Sequence, residues 1–95
     1  MYKRYKISVA VATYNGEKYI KEQLESIIDQ TVMVDEIVIS DDGSKDNTIP
    51  IIQSIQSKNP AIHFVLLTDN TKHGAMGNFE HALVNCTGDF IFLAD

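Results

Sequence analysis

Short apolar runs alternate along the chain with segments whose apolar positions recur at helical spacing. The first run, Ile7-Ser-Val-Ala-Val-Ala12, predicts a buried strand. Thr13-Tyr14-Asn15-Gly16 interrupts it. Asn15 is a favoured helix N-cap, and Glu17 suits the positive end of a helix dipole. Tyr19, Ile20, Leu24, Ile27 and Ile28 then share one face of a helix predicted over 17–30. Glu36–Ser40 predicts a second strand. Ser44, Asp46 and Asn47 offer caps for a second helix with Ile49, Ile52 and Ile55 on its inner face. Pro50 fits that helix only in its first turn, where backbone N–H groups lack a helical partner. Lys58-Asn59-Pro60 stops it. Ile62–Leu67 predicts a third strand. A third helix is expected over 73–86, with Met76, Phe79, Leu83 and Cys86 inward and Gly88 marking its C-terminal end. A fourth strand, also buried, is predicted from Asp89 or Phe90 to Ala94.

The resulting order is β-α-β-α-β-α-β, with no internal repeat and no low-complexity linker. Strands alternating with helices predict an α/β fold: a three-layer, Rossmann-like parallel sheet in the order 3-2-1-4. All strand C-terminal ends then share one edge. Strands one and four become neighbours, and the topological switch point, where such sheets bind ligands, lies between them. That edge would collect Thr13, Tyr14 and Asn15 after strand one, Asp41 and Asp42 after strand two, and Asp95 after strand four.

Composition narrows the functions open to such a fold. Over 95 residues the chain is 44% hydrophobic and 22% charged, as globular domains are. Its net charge of -5 disfavours nonspecific nucleic-acid binding, which needs a basic face. The single cysteine, Cys86, cannot form an internal disulfide, which fits a reducing compartment. The start carries basic residues but no long apolar stretch, so no signal peptide is expected, and no run is long enough to span a bilayer. A buried strand followed only by Asp95 predicts a truncated piece, the N-terminal part of a larger domain. The alternative is a complete small domain whose last strand closes the sheet.

The collected edge has a definite chemistry. Carboxylates accept hydrogen bonds from base N–H groups and ribose hydroxyls, and they repel phosphate unless a divalent cation stands between. Tyr14 offers a ring on which a base can stack. A nucleotide with metal-bridged phosphates would satisfy the set. Each residue also has a plainer reading. Asp41-Asp42-Gly43-Ser44 can be a turn closed by an Asx-type hydrogen bond, and Thr13 and Asn15 can be caps. Tyr14 can be a half-buried loop aromatic, and His63 structural. His73 and His81 are read as too far apart on the third helix for a one-face metal pair. Gly74 and Gly77 read as helix-entry and close-packing glycines, and Cys86 as a small core residue. A nicotinamide-binding domain wants Gly-x-Gly-x-x-Gly after strand one, and this stretch has one glycine. No Gly-Lys-Ser/Thr P-loop occurs. A receiver domain would carry its paired acids after strand one, not strand two.

Three blocks, "ISVAVATYNGEKYIKEQLESIIDQT", "DEIVISDDGSKDNT" and "GDFIFLAD", closely resemble the opening of family 2 glycosyltransferases. The resemblance covers essentially the whole chain. It implies a GT-A fold and an inverting enzyme using nucleotide-diphosphate sugars, with UDP- or dTDP-sugars as expected donors. It implies that Thr13, Tyr14 and Asn15 line the base, that Glu17 lies near the nucleotide, and that Asp41 contacts the base with Asp42 alongside. Ala94-Asp95 matches the start of an Asp-x-Asp motif, in which Asp95 would approach the ribose and a Mn2+ or Mg2+ ion. The next acid, the acceptor-binding half and the catalytic base are expected outside this chain. The implied acceptor is a glycan or lipid-linked sugar, and the implied setting is polysaccharide or glycoconjugate synthesis. The implied place is the cytoplasm, including the cytoplasmic face of the inner membrane. One position departs from the pattern. Gly77 stands where many members carry Arg or Lys before the asparagine matching Asn78, so a basic contact is missing or comes from Lys72 or His73. Two other classes remain open at this point: a noncatalytic nucleotide-binding or regulatory module, and an α/β interaction domain without a ligand.

Overall fold

The computed structural model describes residues 5–30, 33–68 and 73–94. Four parallel strands, β1 (Ile7–Thr13), β2 (Glu36–Asp41), β3 (His63–Leu67) and β4 (Phe90–Ala94), lie in the order β3-β2-β1-β4, the arrangement expected. The helices α1 (Ile20–Ile28), α2 (Thr48–Lys58) and α3 (Gly74–Val84) connect them. Val9, Val11, Ile37 and Ile39 point to one face and pack with Ile20, Leu24 and Ile27 of α1 and Ile52 and Ile55 of α2. Ala10 and Val38 point to the other face, against Ala82 of α3. The sheet is thus the middle of three layers. The small side chains of Ala10 and Ala82 let α3 sit close.

α1 begins three residues later than its apolar spacing predicts. The backbone N–H groups of Asn15, Gly16 and Glu17 donate to Ser44, Thr48 and Asp46 across the neighbouring loop, and the residues up to Tyr19 form a turn rather than regular helix. Asn15 is therefore no N-cap; it adopts a left-handed φ of 49° in the turn. In α2, Asp46 takes the capping role, accepting from the Thr48 N–H at 3.0 Å and from its hydroxyl. Asn47 makes no side-chain cap bond. Pro50 falls in the first turn, where a missing N–H costs nothing.

Two expectations about burial are corrected. Met76 is 88% exposed. The inner face of α3 is centred on Asn78 and Ala82, with Phe79, Leu83 and Cys86 flanking it. β4, read as buried, is the edge strand beside β1, and Phe90, Ile91, Phe92 and Leu93 are all exposed. Gly88 also lies past the end of α3. A Cβ there would come within 2.5 Å of Ser8 Oγ and 2.9 Å of the Lys6 carbonyl, so glycine lets the turn into β4 lie on β1.

The end of the sheet where the strands begin is fastened by Glu36, which is almost fully buried. It accepts from Ser8 Oγ (2.7 Å), Thr87 N–H (2.9 Å) and Thr87 Oγ1 (3.0 Å). Lys6 Nζ lies 3.7 Å away and His63 Nδ1 3.4 Å away. One carboxylate therefore joins β1, β2, β3 and the turn before β4.

Candidate functional site

The parallel register brings the strand ends together as the topology requires. Thr13 is the last residue of β1 and pairs with Asp41, the last of β2. The loops that follow, 14–19 and 42–47, emerge side by side. Five hydrogen bonds cross between them or into the start of α2. Asn15 N–H donates to Ser44 Oγ, Gly16 N–H to Thr48 Oγ1 and Glu17 N–H to Asp46 Oδ2. In return, Lys45 N–H donates to Asn15 Oδ1 and Asn47 N–H to Glu17 Oε1. Residues that are thirty positions apart in sequence thus form one braced platform. Tyr14 sits on it, 41% exposed.

The two adjacent acids are buried and face different tasks. Asp41 Oδ2 accepts from Gly43 N–H (3.1 Å) and Ser44 N–H (2.8 Å), and Oδ1 accepts from the Ser44 hydroxyl. This is the Asx-type turn weighed from sequence. Asp42 reaches the other way. Its Oδ1 accepts from His73 N–H (2.6 Å) and its Oδ2 from Gly74 N–H (3.0 Å). A carboxylate on the His73 and Gly74 amides sits at the positive end of α3, where a negative charge is favourable.

An open depression of about 480 Å3 lies on the outer side of the platform, lined by Asn15, Glu17, Lys18, Tyr19, Lys45 and Asp46. Its lining carries two lysines and two acids. Desolvation pushes Asp46 up, but hydrogen bonds from the Thr48 hydroxyl, the Thr48 N–H and the Glu17 N–H outweigh it and hold the carboxyl below the usual aspartate value. A wider hollow of about 610 Å3, lined by residues including Gln53, Gln56, Pro60 and His63, lies at the far end of the sheet, away from the acids.

Thr13, Tyr14, Asn15, Glu17, Asp41 and Asp42 are therefore gathered at one edge. Asp95 lies outside the described residues, as does Lys72. The described part of β4 ends at Ala94, opposite Val11 of β1. Among the described residues no three His, Cys, Asp or Glu side chains converge as a metal site. His73 and His81, read as too far apart, stack with ring centroids 4.7 Å apart. Gly77 lies midway between them on the helix, where a Cβ would come 3.0 Å from His73 Cβ. From sequence Ser44 reads as a cap or turn residue and Thr48 has no role, yet both accept from backbone N–H groups of the first loop. Asn78, on the inner face of an otherwise apolar helix, is the signal that periodicity passes over.

A model of the family described as Glycosyl transferase family 2 matches residues 8–95. The chain is 33% identical over 90 residues to the GalNAc(5)-diNAcBac-PP-undecaprenol beta-1,3-glucosyltransferase of Campylobacter jejuni, a match that covers 95% of this chain and 29% of that protein. It is 48% identical over 69 residues to the dTDP-rhamnosyl transferase RfbG of Shigella flexneri, covering 73% of this chain and 24% of the relative. Among solved structures, S. aureus TarS 1-349 in complex with UDP superposes with a TM-score of 0.80 at 33% identity, over 95% of this chain and 27% of TarS. The mannosyltransferase PcManGT from Pyrobaculum calidifontis, in complex with GDP-Man and Mn2+, superposes with a TM-score of 0.81 at 25% identity, over 94% of this chain and 26% of its own. The chain thus spans roughly a quarter of the length of these proteins.

Proposed function

The chain belongs to glycosyl transferase family 2, and from that membership we propose that it is the donor-binding part of an enzyme that moves a sugar from a nucleoside diphosphate to an acceptor hydroxyl. The observation that carries the reading is the braced platform. Loops 14–19 and 42–47, fixed by five mutual hydrogen bonds, present an aromatic ring and polar groups at the carboxyl end of a parallel sheet. Rigid loops on such an edge suit a ligand that must be held in one orientation. Tyr14 stacks on the base, Thr13, Asn15 and Glu17 border it, and Asp41 and Asp42 shape the pocket from below. The donor class is a UDP- or dTDP-sugar, in keeping with the UDP bound by TarS and the dTDP-rhamnosyl activity named for RfbG. The acceptor is a growing or lipid-linked glycan, and the product belongs to polysaccharide or glycoconjugate synthesis.

The reaction is one displacement at the anomeric carbon, with inversion. The acceptor oxygen forms the new bond as the nucleoside diphosphate leaves, and a base takes the acceptor proton. No described residue is assigned that base. A Mn2+ or Mg2+ ion would offset charge on the departing diphosphate. The described acids do not fit it, because among the described residues no three His, Cys, Asp or Glu side chains converge to hold an ion. The reading therefore gives the ion to Asp95. Work at the cytoplasmic face of a membrane is part of the same proposal; among the described residues no helix is long and apolar enough to cross one.

Titration with UDP, dTDP and GDP, with and without Mn2+, tests the reading. Asp41→Asn is the informative variant. An asparagine oxygen can still accept from Gly43 and Ser44 N–H, and its NH2 can donate to Ser44 Oγ, so the turn survives while the charge goes. A loss of about tenfold in affinity is expected if Asp41 faces the base. Unchanged binding by a folded variant would remove Asp41 from the pocket, and absence of binding by the parent would defeat the reading as a whole.

A further inference from the structure

We propose that Asn78 is a positioning residue for the nucleotide pocket, one that sets the turn carrying Tyr14 through the carbonyl of Thr13. The inference rests on the donor-binding reading above. Asn78 is 3% exposed, in the second turn of α3, on the face that packs against the sheet. Its Nδ2 donates to the Thr13 carbonyl at 3.1 Å. A carbonyl only accepts, so the nitrogen must be the end that faces it. The same carbonyl accepts from Asp42 N–H at 3.1 Å. Thr13 is the last residue of β1, and Tyr14 follows it directly. A single oxygen thus ties the end of β1, the residue after β2 and the body of α3.

The rest of the side chain argues that this tie is worth more than packing. Asn78 Oδ1 is buried without a hydrogen-bond partner among the described residues. Half-satisfied buried amides are unfavourable, and an apolar side chain of the same shape would avoid that cost. The neighbours on this layer, Ala82, Phe79 and Leu83, are apolar. An amide is needed here only for what its nitrogen holds. α3 is then fixed to the loop edge twice, by Asp42 on its first amides and by Asn78 one turn on. Without the second tie the helix stays capped, but the Thr13 carbonyl loses its only side-chain anchor among the described residues, and the turn at 14–16 can shift against the loop it braces.

Two variants of the full chain separate positioning from packing. In Asn78→Asp the ionised carboxylate cannot donate to Thr13, whereas the protonated acid can. UDP, dTDP and GDP titrations across pH 4.5–8 (a range into which burial raises a carboxylate pKa) are compared with the parent at each pH, which sets aside effects common to both, including any from Asp42, His73 and the phosphates. The expected result is a Kd weakened about tenfold at the upper end and recovering toward the parent's as pH falls. Asn78→Leu should show a similar loss that does not recover, and it carries the test if the acidic variant fails to fold. Parental Kd in either folded variant overturns the proposal. So does a loss in Asn78→Asp that is equal at every pH, because that marks lost packing. If the parent binds none of the three nucleotides, the donor reading itself fails and this inference with it.

Discussion

Gly16 occupies a point where no side chain fits. A Cβ built there would lie 2.8 Å from Thr13 Oγ1 and 3.0 Å from the Tyr19 ring, and both belong to the same turn. Its neighbour Asn15 is left-handed, a conformation that asparagine tolerates better than most residues. The pair turns the chain sharply enough for three successive amides to face the second loop. Gly16→Ala is expected to force the turn open, at a cost of about 1–3 kcal/mol, seen as a lower Tm in thermal denaturation and a weaker nucleotide Kd. A variant with parental Tm would show that the turn has slack. The glycine is visible in the sequence, but its reason is not. Asn15-Gly16 reads as a generic turn or cap until Thr13 and Tyr19 are seen closing over it.

Among the elements, α3 departs most from its pattern. Its apolar residues suggested Met76 inward, yet the packed face is set by Asn78 and Ala82. Two anchors rotate it there: the Asp42 cap and the Asn78 amide, both polar and so silent in a count of apolar positions. Asp42→Ala should leave the first two amides of α3 without their carboxylate and cost about 1–2 kcal/mol of stability. Urea denaturation followed by circular dichroism would measure it, and a midpoint equal to the parent's would show that the cap is dispensable. α1 and α2, whose inner faces are mostly apolar, lie close to where periodicity puts them, and all four strands are within a residue of expectation. β4 was legible as a strand but not as an exposed one. An apolar run has the same appearance whether its two faces are covered or open, and only its place at the sheet edge tells them apart.

Across the whole molecule, the two ends of the parallel sheet hold unlike chemistry. The loop end gathers the candidate ligand groups, and the opposite end is locked by Glu36. Burial would raise the Glu36 pKa, but hydrogen bonds from Ser8 and Thr87 and the Lys6 charge outweigh it and hold the carboxyl below the ordinary glutamate value. A carboxyl depressed in the folded state stabilises it fully above the unfolded value, about pH 4.3, and loses that stabilisation as pH falls through the folded value. Between about pH 5 and pH 3 the parent should therefore lose stability more steeply than Glu36→Gln, and at neutral pH the variant should be the weaker by about 1–3 kcal/mol. Parallel acid-unfolding curves would assign the linkage to other groups. The mutual bracing of 14–17 with 44–48 has a further consequence for anyone redesigning the molecule. Neither loop can be transplanted alone, because each completes the other's backbone hydrogen bonding. A graft meant to change which nucleotide is accepted must carry both segments as one cassette, and the Glu36 lock at the far end can stay as it is while the cassette is exchanged.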